Sequence, residues 1–266
     1  MRHWIIIAAA VLLANGSAHA AQPDVLFVVA DDLNMMIGCY GHPLAKTPNM
    51  DRLAERGVRF EQAYCQDPVC NPSRTSFLSG RRPGDKLKDV AWLPDHFRAQ
   101  GYEVIEVGKV AHSYGISRTA IRWSANEKGG VPRAIELLEA RRDKPLFLAV
   151  GLAHTHDSVA TSEFRKLYDP DKVSWPKEPD DLHQRFPDAA FRGVKEASMS
   201  AAERRETVAR YLASVSTLDA ELGKLLEVLE RRKLGENTFV VFTSDHGKHK
   251  GVHGIWDKRS LFEVSV

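Results

Sequence analysis

The residues around Cys70 have the types and spacing of a reactive centre. Cys70 is followed by Asn71, Pro72 and, one helical turn on, Arg74. Pro72 fits the first turn of a helix, where its missing N–H needs no partner, and Asn71 fits the N-cap before it. Cys70 would then lie at the positive end of a helix dipole, beside an arginine. This arrangement predicts a site for an anion and for an activated cysteine nucleophile.

Polar residues follow four apolar segments that we predict to be buried β-strands. The segments are residues 25–30, 102–107, 146–151 and 238–243, with helical patterns between them. This alternation predicts an α/β fold, with a largely parallel sheet covered by helices on both faces. The polar residues after the strands are, in chain order, Asp31 and Asp32, Lys109 and His112, His154 and His156, and Asp245 and His246. Because ligands bind outside the carboxyl ends of such strands, we expect these residues and Cys70 to meet at one edge.

The charges expected at this edge point to a bound cation. The carboxylates of Asp31, Asp32 and Asp245 would be crowded together, which is costly unless a cation or a proton intervenes. Their oxygen atoms favour calcium or magnesium, whereas a cysteine thiolate is a poor partner for such ions. This mismatch indicates that Cys70 does not stay a thiol. The basic residues expected nearby are Arg74, Lys109, His112, His156 and Lys258. With a cation, they could hold a tetrahedral oxyanion and stabilise charge on a leaving oxygen.

The helical segments carry start and stop signals. Three predicted helices open with a proline, at Pro48, Pro94 and Pro132. Ser200 and Glu203 form a predicted capping box, and an apolar stripe then predicts one long helix that ends at Gly235. Residues 168–199 are rich in proline and charge, and we predict a long surface excursion there.

The first twenty residues have the pattern of an export signal. A short basic start precedes an apolar run, and Ala18 and Ala20 fit the small-residue cleavage rule. We therefore expect a signal peptide at 1–20, one domain at 21–266, and a periplasmic or secreted protein. No other stretch approaches membrane-spanning length, so we expect no membrane contact once the signal is removed. The formal net charge of +2 gives no indication of a nucleic-acid partner.

Export would place the cysteines in an oxidising compartment, where disulfides can persist. The chain has three cysteines, so Cys39 and Cys65 remain if Cys70 is modified. They could pair, and the sequence does not decide this. We favour two buried thiols.

The segment 70–80 also resembles a known family signature. Its residues meet every fixed position of the pattern C-x-P-S-R-x-x-x-L-x-[TS]-G, which is the signature of the sulfatases. The chain looks closest to the iduronate-2-sulfatase-like branch, on segments 29–34, 38–54, 70–83, 108–112, 147–151 and 242–247. The resemblance implies an alkaline phosphatase-like fold, with a mixed sheet between helix layers. It also implies that a maturation enzyme oxidises Cys70 to formylglycine, whose hydrate is the nucleophile.

The resemblance further implies a role for each matching residue. Asp31, Asp32, Asp245, His246 and the modified Cys70 would ligate one calcium ion. Arg74 would support the hydrate, and Lys109 and His112 would contact the nucleophile and the sulfate. His156, or alternatively His154, and Lys258 would hold the sulfate and the leaving oxygen. One hydroxyl of the hydrate would attack sulfur, and His112 would then take the proton that lets sulfate leave.

The resemblance also raises expectations about completeness and substrate. The chain ends where the family enters another core strand and a C-terminal subdomain, so we expect an incomplete catalytic domain with impaired activity. The expected substrate is a sulfated carbohydrate, with uronate 2-sulfate suggested by the branch, or a small sulfate ester.

Two alternatives stay open. One is a phosphate or phosphonate ester hydrolase of the same superfamily, and the other is an inactive domain that binds sulfated glycan. A zinc site at His246, His249 and His253 is only weakly indicated, because the intervening glycines favour a loop.

Overall fold

Five parallel strands form the centre of the fold. The computed structural model describes residues 22–113, 115–174 and 199–266. Its strands are β1 Asp24–Ala30, β2 Glu103–Val107, β3 Ala125–Glu127, β4 Leu146–Leu152 and β5 Thr238–Ser244. Their order is β3-β2-β4-β1-β5, and every pair is parallel. The four predicted strands are confirmed. Strand β3 was not predicted, because a three-residue strand is too short to show periodicity.

Helices cover both faces of this sheet. They are α1 Pro48–Arg56, α2 Cys70–Ser79, α3 Leu93–Ala99, α4 Ile116–Ala120, α5 Gly130–Glu139, α6 Ser162–Arg165 and α7 Ala201–Arg231. Alternate residues of a strand face opposite sides. Leu26 and Val28 of β1 accordingly pack into the core shared with α1, α5 and α7, and Phe27 and Val29 into the core shared with α2 and α3. The predicted three-layer α/β architecture is confirmed.

The long helix α7 starts as predicted and ends earlier. The Ser200 hydroxyl accepts a hydrogen bond from the Glu203 amide at 3.3 Å, and the Glu203 carboxylate accepts one from the Ser200 amide at 2.7 Å. The helix does not continue to Gly235. Lys233 has φ of 55°, and the Leu234 amide donates to the Leu229 carbonyl at 2.8 Å. A lysine therefore takes the left-handed position that usually belongs to glycine at a helix end.

The cysteines are unpaired, as we favoured. All three are free, but Cys39 and Cys65 are only partly buried, so the prediction of two buried thiols is wrong. Within the described ranges, no helix has the length and apolarity needed to cross a bilayer. The predicted signal at 1–20 and most of the predicted excursion at 168–199 lie outside the described residues.

Leu148→Ala should destabilise the fold strongly. Leu148 lies on the central strand β4 and is 0% exposed. Truncation leaves a cavity in a close-packed core, which costs about 2–5 kcal/mol. Leu167, 44% exposed, provides the control: Leu167→Ala should change the free energy of unfolding by about 0.5 kcal/mol or less. Urea denaturation of both variants measures this. Equal losses would contradict the assigned core.

Candidate active site

The register of the parallel strands places the polar residues that follow β1, β4 and β5 at the same edge of the sheet. Ala30, the last residue of β1, is opposite Leu152 of β4 and Ser244 of β5. The Asp31 amide donates to the Leu152 carbonyl at 2.9 Å, and the Asp245 amide donates to the Ala30 carbonyl at 3.1 Å. The chain therefore leaves three adjacent strands at the same edge, with carboxylates immediately after two of them.

Helix α2 brings Cys70 to this edge, although its start differs from the prediction. Cys70 is itself the first helical residue, and Val69 occupies the N-cap without a side-chain hydrogen bond. The predicted N-cap role of Asn71 is therefore wrong. Pro72 still lies in the first turn, where no intrahelical partner is needed for the missing N–H. Cys70 is buried at the positive end of the helix dipole.

The Cys70 sulfur lies among residues from three other parts of the chain. Its Sγ is 3.4 Å from Asp31 Oδ1 and 3.8 Å from Asp32 Oδ1. His246 Nε2 is 3.2 Å away, and Lys258 Nζ is 3.3 Å away. The structure thus brings together residues separated by up to 226 positions in sequence, as in the contact between Asp32 and Lys258.

Arg74 connects α2 to the ends of the strands. Its guanidinium is 0% exposed. Nε donates to Asp245 Oδ2 at 2.8 Å, and Nη1 donates to the carbonyl oxygens of Lys109 and, at 2.9 Å, Val110. Nη2 lies 3.3 Å from Asp31 Oδ1 but has no hydrogen-bond acceptor in the described structure. One buried N–H group is therefore available to an additional oxygen beside position 70.

Three lysines contact the carboxylates after β1. Lys109 Nζ donates to Asp31 Oδ2 at 2.5 Å, and Lys258 Nζ donates to Asp32 Oδ1 at 2.8 Å. Lys248, which the sequence analysis missed, donates to Asp32 Oδ2 at 3.2 Å. A signal for it was present, because Lys248 follows Asp245 by three positions in the same strand-end loop.

These contacts change the electrostatic argument made from the sequence. The buried carboxylates are partnered by Arg74 and the lysines, so their crowding does not by itself require a metal ion. Burial would raise the pKa of Asp31, but Arg74 and Lys109 outweigh it and hold that pKa well below its ordinary range. Burial raises the pKa of Asp245 despite the attraction of Arg74.

The unmodified thiol of Cys70 is not activated. Burial, and then the carboxylates of Asp245 and Asp31, raise its pKa to about 12. These effects outweigh Lys258, which lowers it. A thiolate is therefore disfavoured in the unmodified chain, and the role of position 70 as a nucleophile stays a prediction. Nucleophilic chemistry at this position needs a different side chain.

The donor atoms fit a hard divalent cation once position 70 carries oxygen. Asp31, Asp32, Cys70 and His246 each offer one ligand atom, and these atoms lie within 4.8 Å of one another, all on buried residues. Two of the four atoms are carboxylate oxygens, and an oxygen in place of the sulfur would give a set that suits calcium or magnesium. Asp245 lies beside this group, and its Oδ1 accepts from the amides of Asp32 and His246 at 3.0 and 2.9 Å. Its role as a ligand stays a prediction.

The other histidines of the 246–253 loop are directed to different partners. His249 Nδ1 is 3.0 Å from the Val252 carbonyl, and His253 Nε2 is 3.0 Å from Glu263 Oε1. In the described part of the chain, they do not join His246 in a metal-binding group.

The remaining predicted histidines differ in their surroundings. His112 is buried, and its pKa is lowered by burial and then by the charges of Lys109 and Arg74. His156 is half-buried, and its carbonyl accepts a hydrogen bond from Lys248 at 3.1 Å. His154 also has a lowered pKa, caused by burial, and the nearby charges are Glu221 and Lys224 of α7. The link from His156 to the carboxylates runs through its backbone and Lys248, whereas its imidazole Nδ1 is 2.9 Å from Asp157 Oδ1, so the choice between His154 and His156 stays open.

Tyr211 of α7 fixes the loop after β1. Its hydroxyl donates to the Asp32 carbonyl at 2.8 Å and accepts from the Asn34 amide at 2.9 Å. Asp32 has φ of 63°, in the left-handed region. The tyrosine therefore holds Asp32 in a conformation that most residues avoid.

Comparison with known proteins gives a consistent set of relatives. The family model described as Sulfatase matches residues 23–127 and 126–261. Iduronate 2-sulfatase of Homo sapiens is 31% identical over 345 aligned positions, covering 99% of this chain and 62% of the human protein. This chain thus spans about three fifths of the length of that relative.

Solved structures show the same fold. The phosphonate monoester hydrolase of Agrobacterium radiobacter superposes with a TM-score of 0.76 at 16% identity, covering 91% of this chain and 66% of the other. A structure described as a 2-O GAG sulfatase gives a TM-score of 0.74 at 20% identity, covering 91% and 62%. Identities this low show the fold alone, which is alkaline phosphatase-like.

Tyr211→Phe should weaken the fold through the loop after β1. The variant keeps the ring and leaves the Asp32 carbonyl and the Asn34 amide buried without a partner, which costs about 1–3 kcal/mol. The control is Tyr40→Phe, which removes an exposed hydrogen bond to the Phe60 carbonyl and should cost less than about 0.5 kcal/mol. Urea denaturation measures both. An unchanged midpoint for Tyr211→Phe would show that the loop does not depend on this hydroxyl.

His112 should titrate below the ordinary histidine pKa of 6.5 in metal-free protein. Burial and two cations disfavour its charged form, so the folded chain binds this proton less readily than the unfolded chain. Its contribution to stability is therefore present above pH 6.5 and is lost as the pH falls towards the folded pKa. Lys109→Met should raise the pKa, because it removes one of the cations. NMR titration of the imidazole signals measures both values. A His112 pKa at or above 6.5 would disprove the assigned environment.

Proposed function

Since this chain belongs to the sulfatase family, we propose that it hydrolyses sulfate esters, with a converted Cys70 as nucleophile and one bound calcium ion. The observation that carries the proposal is the position of Cys70. Its Sγ is buried within 3.4 Å of Asp31, His246 and Lys258, at the edge where ligands bind in parallel sheets. An anionic substrate there would meet cations from several directions.

Conversion of Cys70 to hydrated formylglycine would supply a hydroxyl nucleophile that needs no thiolate. The unmodified thiol would have to lose its proton before it could attack, and its pKa is raised to about 12. The hydroxyl of the hydrate has no such requirement. The buried Nη2 of Arg74, which lies 3.3 Å from Asp31 Oδ1 and has no acceptor in the described structure, would donate to an oxygen on that side chain. Asp31, Asp32, Asp245 and His246 would hold calcium with it, and the ion would supply positive charge beside the sulfate.

The chain's own residues supply the remaining steps of the proposed reaction. Lys109 is held by Asp31 and Lys258 by Asp32, the two carboxylates closest to the Cys70 sulfur, and these lysines would bind sulfate oxygens and stabilise the leaving oxygen. The attraction of Asp32 outweighs burial and raises the pKa of Lys258, so this lysine stays charged. His112 is held neutral and can accept a proton. His156 would complete the sulfate contacts.

We assign a sulfated carbohydrate as substrate, ahead of small sulfate esters. The reason is that human iduronate 2-sulfatase, which aligns with 99% of this chain, is named for its action on iduronate 2-sulfate. Uronate 2-sulfate is therefore the first substrate to test. The proposal includes a maturation enzyme that oxidises Cys70, and export to the periplasm or the medium. It includes no nucleic-acid or membrane partner.

The first test is the chemical state of position 70. The chain, co-expressed with a formylglycine-generating enzyme, is digested with trypsin, and the peptide ending at Arg74 is examined by mass spectrometry. Conversion should appear as a loss of mass and as reaction with an aldehyde probe. An unconverted thiol in all of the protein would contradict the proposed nucleophile and favour a domain that only binds sulfated glycan.

The second test is turnover of matched esters. Aryl sulfate, aryl phosphate and aryl phosphonate are assayed in parallel with calcium, followed by 2-sulfated uronate oligosaccharides. We expect aryl sulfate to have the highest kcat/KM, and Cys70→Ala to reduce it by more than about a thousandfold through loss of the nucleophile. Circular dichroism checks that the variant is folded. Dominant phosphate or phosphonate turnover would assign the chain to the alternative ester class.

A further inference from the structure

A basic cavity lies at the end of the sheet opposite the candidate active site. Its volume is about 680 Å3, and it is lined by residues just before and within β1, the loop between α5 and β4, and the C-terminal end of α7. These segments lie at the amino ends of the strands. For strands of seven residues, the cavity is roughly 20 Å from the edge that carries Cys70. It is therefore separate from the candidate active site.

The cavity concentrates positive charge. Its lining includes six cationic side chains, those of Arg141, Arg142, Lys144, Arg231, Arg232 and Lys233. It includes three carboxylates, those of Asp24, Glu139 and Asp143. The lining residues thus carry a formal charge of +3, whereas the whole chain carries +2. The lining of the cavity therefore carries an excess of positive charge.

Two of the cationic side chains, those of Arg142 and Arg231, form ion pairs that hold the lining of the cavity together. Arg142 Nη2 donates to Asp24 Oδ2 at 2.6 Å, and its Nη1 donates to the Leu137 carbonyl at 2.8 Å. Asp24 Oδ1 also accepts from the Leu146 amide at 2.7 Å, which ties the loop before β4 to β1. Arg231 pairs with Glu139 at 2.7 Å and joins α7 to α5. The cavity is therefore a fixed feature of the packed structure.

Four cations remain for a ligand. Arg141, Lys144, Arg232 and Lys233 are exposed, and they make no ion pair with any residue in the described parts of the chain. They approach the cavity from two walls, two from the loop before β4 and two from the end of α7. Guanidinium and ammonium groups that converge on a concave surface favour multivalent oxyanions.

We propose that this cavity binds a segment of a sulfated polysaccharide, as a second site that holds a polymeric substrate. The inference rests on the proposed function, because a sulfated polymer is the anion that the candidate active site would process. Binding at the cavity raises the effective concentration of other sulfate groups of the same chain near Cys70. A concave cavity suits one carbohydrate chain, whereas a nucleic-acid duplex is bound by basic residues spread along a face or a helix.

The binding test uses heparin as the sulfated probe and hyaluronan as the unsulfated one. The charge-reversal variant is Arg141→Glu with Lys144→Glu. The control is Lys166→Glu with Lys172→Glu, which makes the same change of net charge outside the cavity. We expect the cavity variant to bind heparin about tenfold more weakly at low salt, and the control to bind within about twofold of the unaltered chain. Hyaluronan should bind weakly to all three proteins. Calorimetry measures the affinities.

The catalytic test separates the second site from the active site. For converted protein, the cavity variant should lose about tenfold in kcat/KM on polymeric sulfate through a higher KM, and should keep the unaltered kcat/KM on aryl sulfate. Equal heparin affinity of the cavity variant and the unaltered chain would overturn the inference. The inference would also be overturned if the control variant lost as much heparin affinity as the cavity variant. It would be overturned as well if duplex DNA bound as tightly as heparin and lost the same affinity in the cavity variant.

The outcomes also distinguish this inference from the proposed function. A chain that binds heparin through the cavity but leaves aryl sulfate unchanged would support the second site and contradict the activity. A chain that hydrolyses aryl sulfate normally, with heparin binding insensitive to the cavity variant, would support the activity and overturn the second site.

Discussion

The burial of Arg74 is the constraint on which the candidate active site depends. A guanidinium removed from water is costly unless charge partners and acceptors surround it. Here those partners are Asp245 after β5, Asp31 after β1 and backbone carbonyls after β2. Since the partners come from three strand ends, satisfying one side chain fixes the relative position of all three. Cys70 lies one turn earlier on the same helix, so its sulfur is fixed as well. Loss of Arg74 would leave buried carboxylates without their counter-charge, and the site would lose its order together with its chemistry.

The same charges that order the site make it unsuitable for cysteine chemistry. Carboxylates within 4 Å of the sulfur disfavour a thiolate, although a helix N-terminus and a lysine favour one. Burial and carboxylates prevail because the sulfur is removed from water and lies between anions. An oxygen-bearing side chain has no such conflict, since it needs no negative charge to complete a hard-ligand set. The electrostatics that disfavour a thiolate at position 70 therefore accommodate the oxygen-bearing side chain that the proposed conversion of Cys70 would produce.

Helix α7 connects the two ends of the molecule. Near its start, Tyr211 holds the loop that carries Asp32, and at its end Arg231 pairs with Glu139 in the wall of the basic cavity. A parallel sheet makes this division natural, because all carboxyl ends lie at one edge and all amino ends at the other. The carboxyl edge gathers carboxylates and cations into a paired cluster. The amino edge carries cations in excess of carboxylates in the lining of the basic cavity.

The sequence by itself determined the elements and the types of residue at their ends. Four apolar segments were long enough to identify strands, the Ser200 capping box located α7, and the signature around Cys70 identified the family. Strand β3 was too short to show a pattern, and Asn71 was wrongly assigned as an N-cap because a helix start depends on its neighbours as well as on its own sequence. Only the tertiary structure decided which charged groups lie next to each other at the carboxyl edge of the sheet. It placed Lys248 against Asp32 and set lysines beside carboxylates which sequence reasoning left to a metal, and it buried Cys70 among carboxylates that raise the pKa of its thiol. Local patterns report propensity and periodicity, whereas electrostatic energy depends on distances between residues far apart in the chain and on their removal from water, and folding sets both.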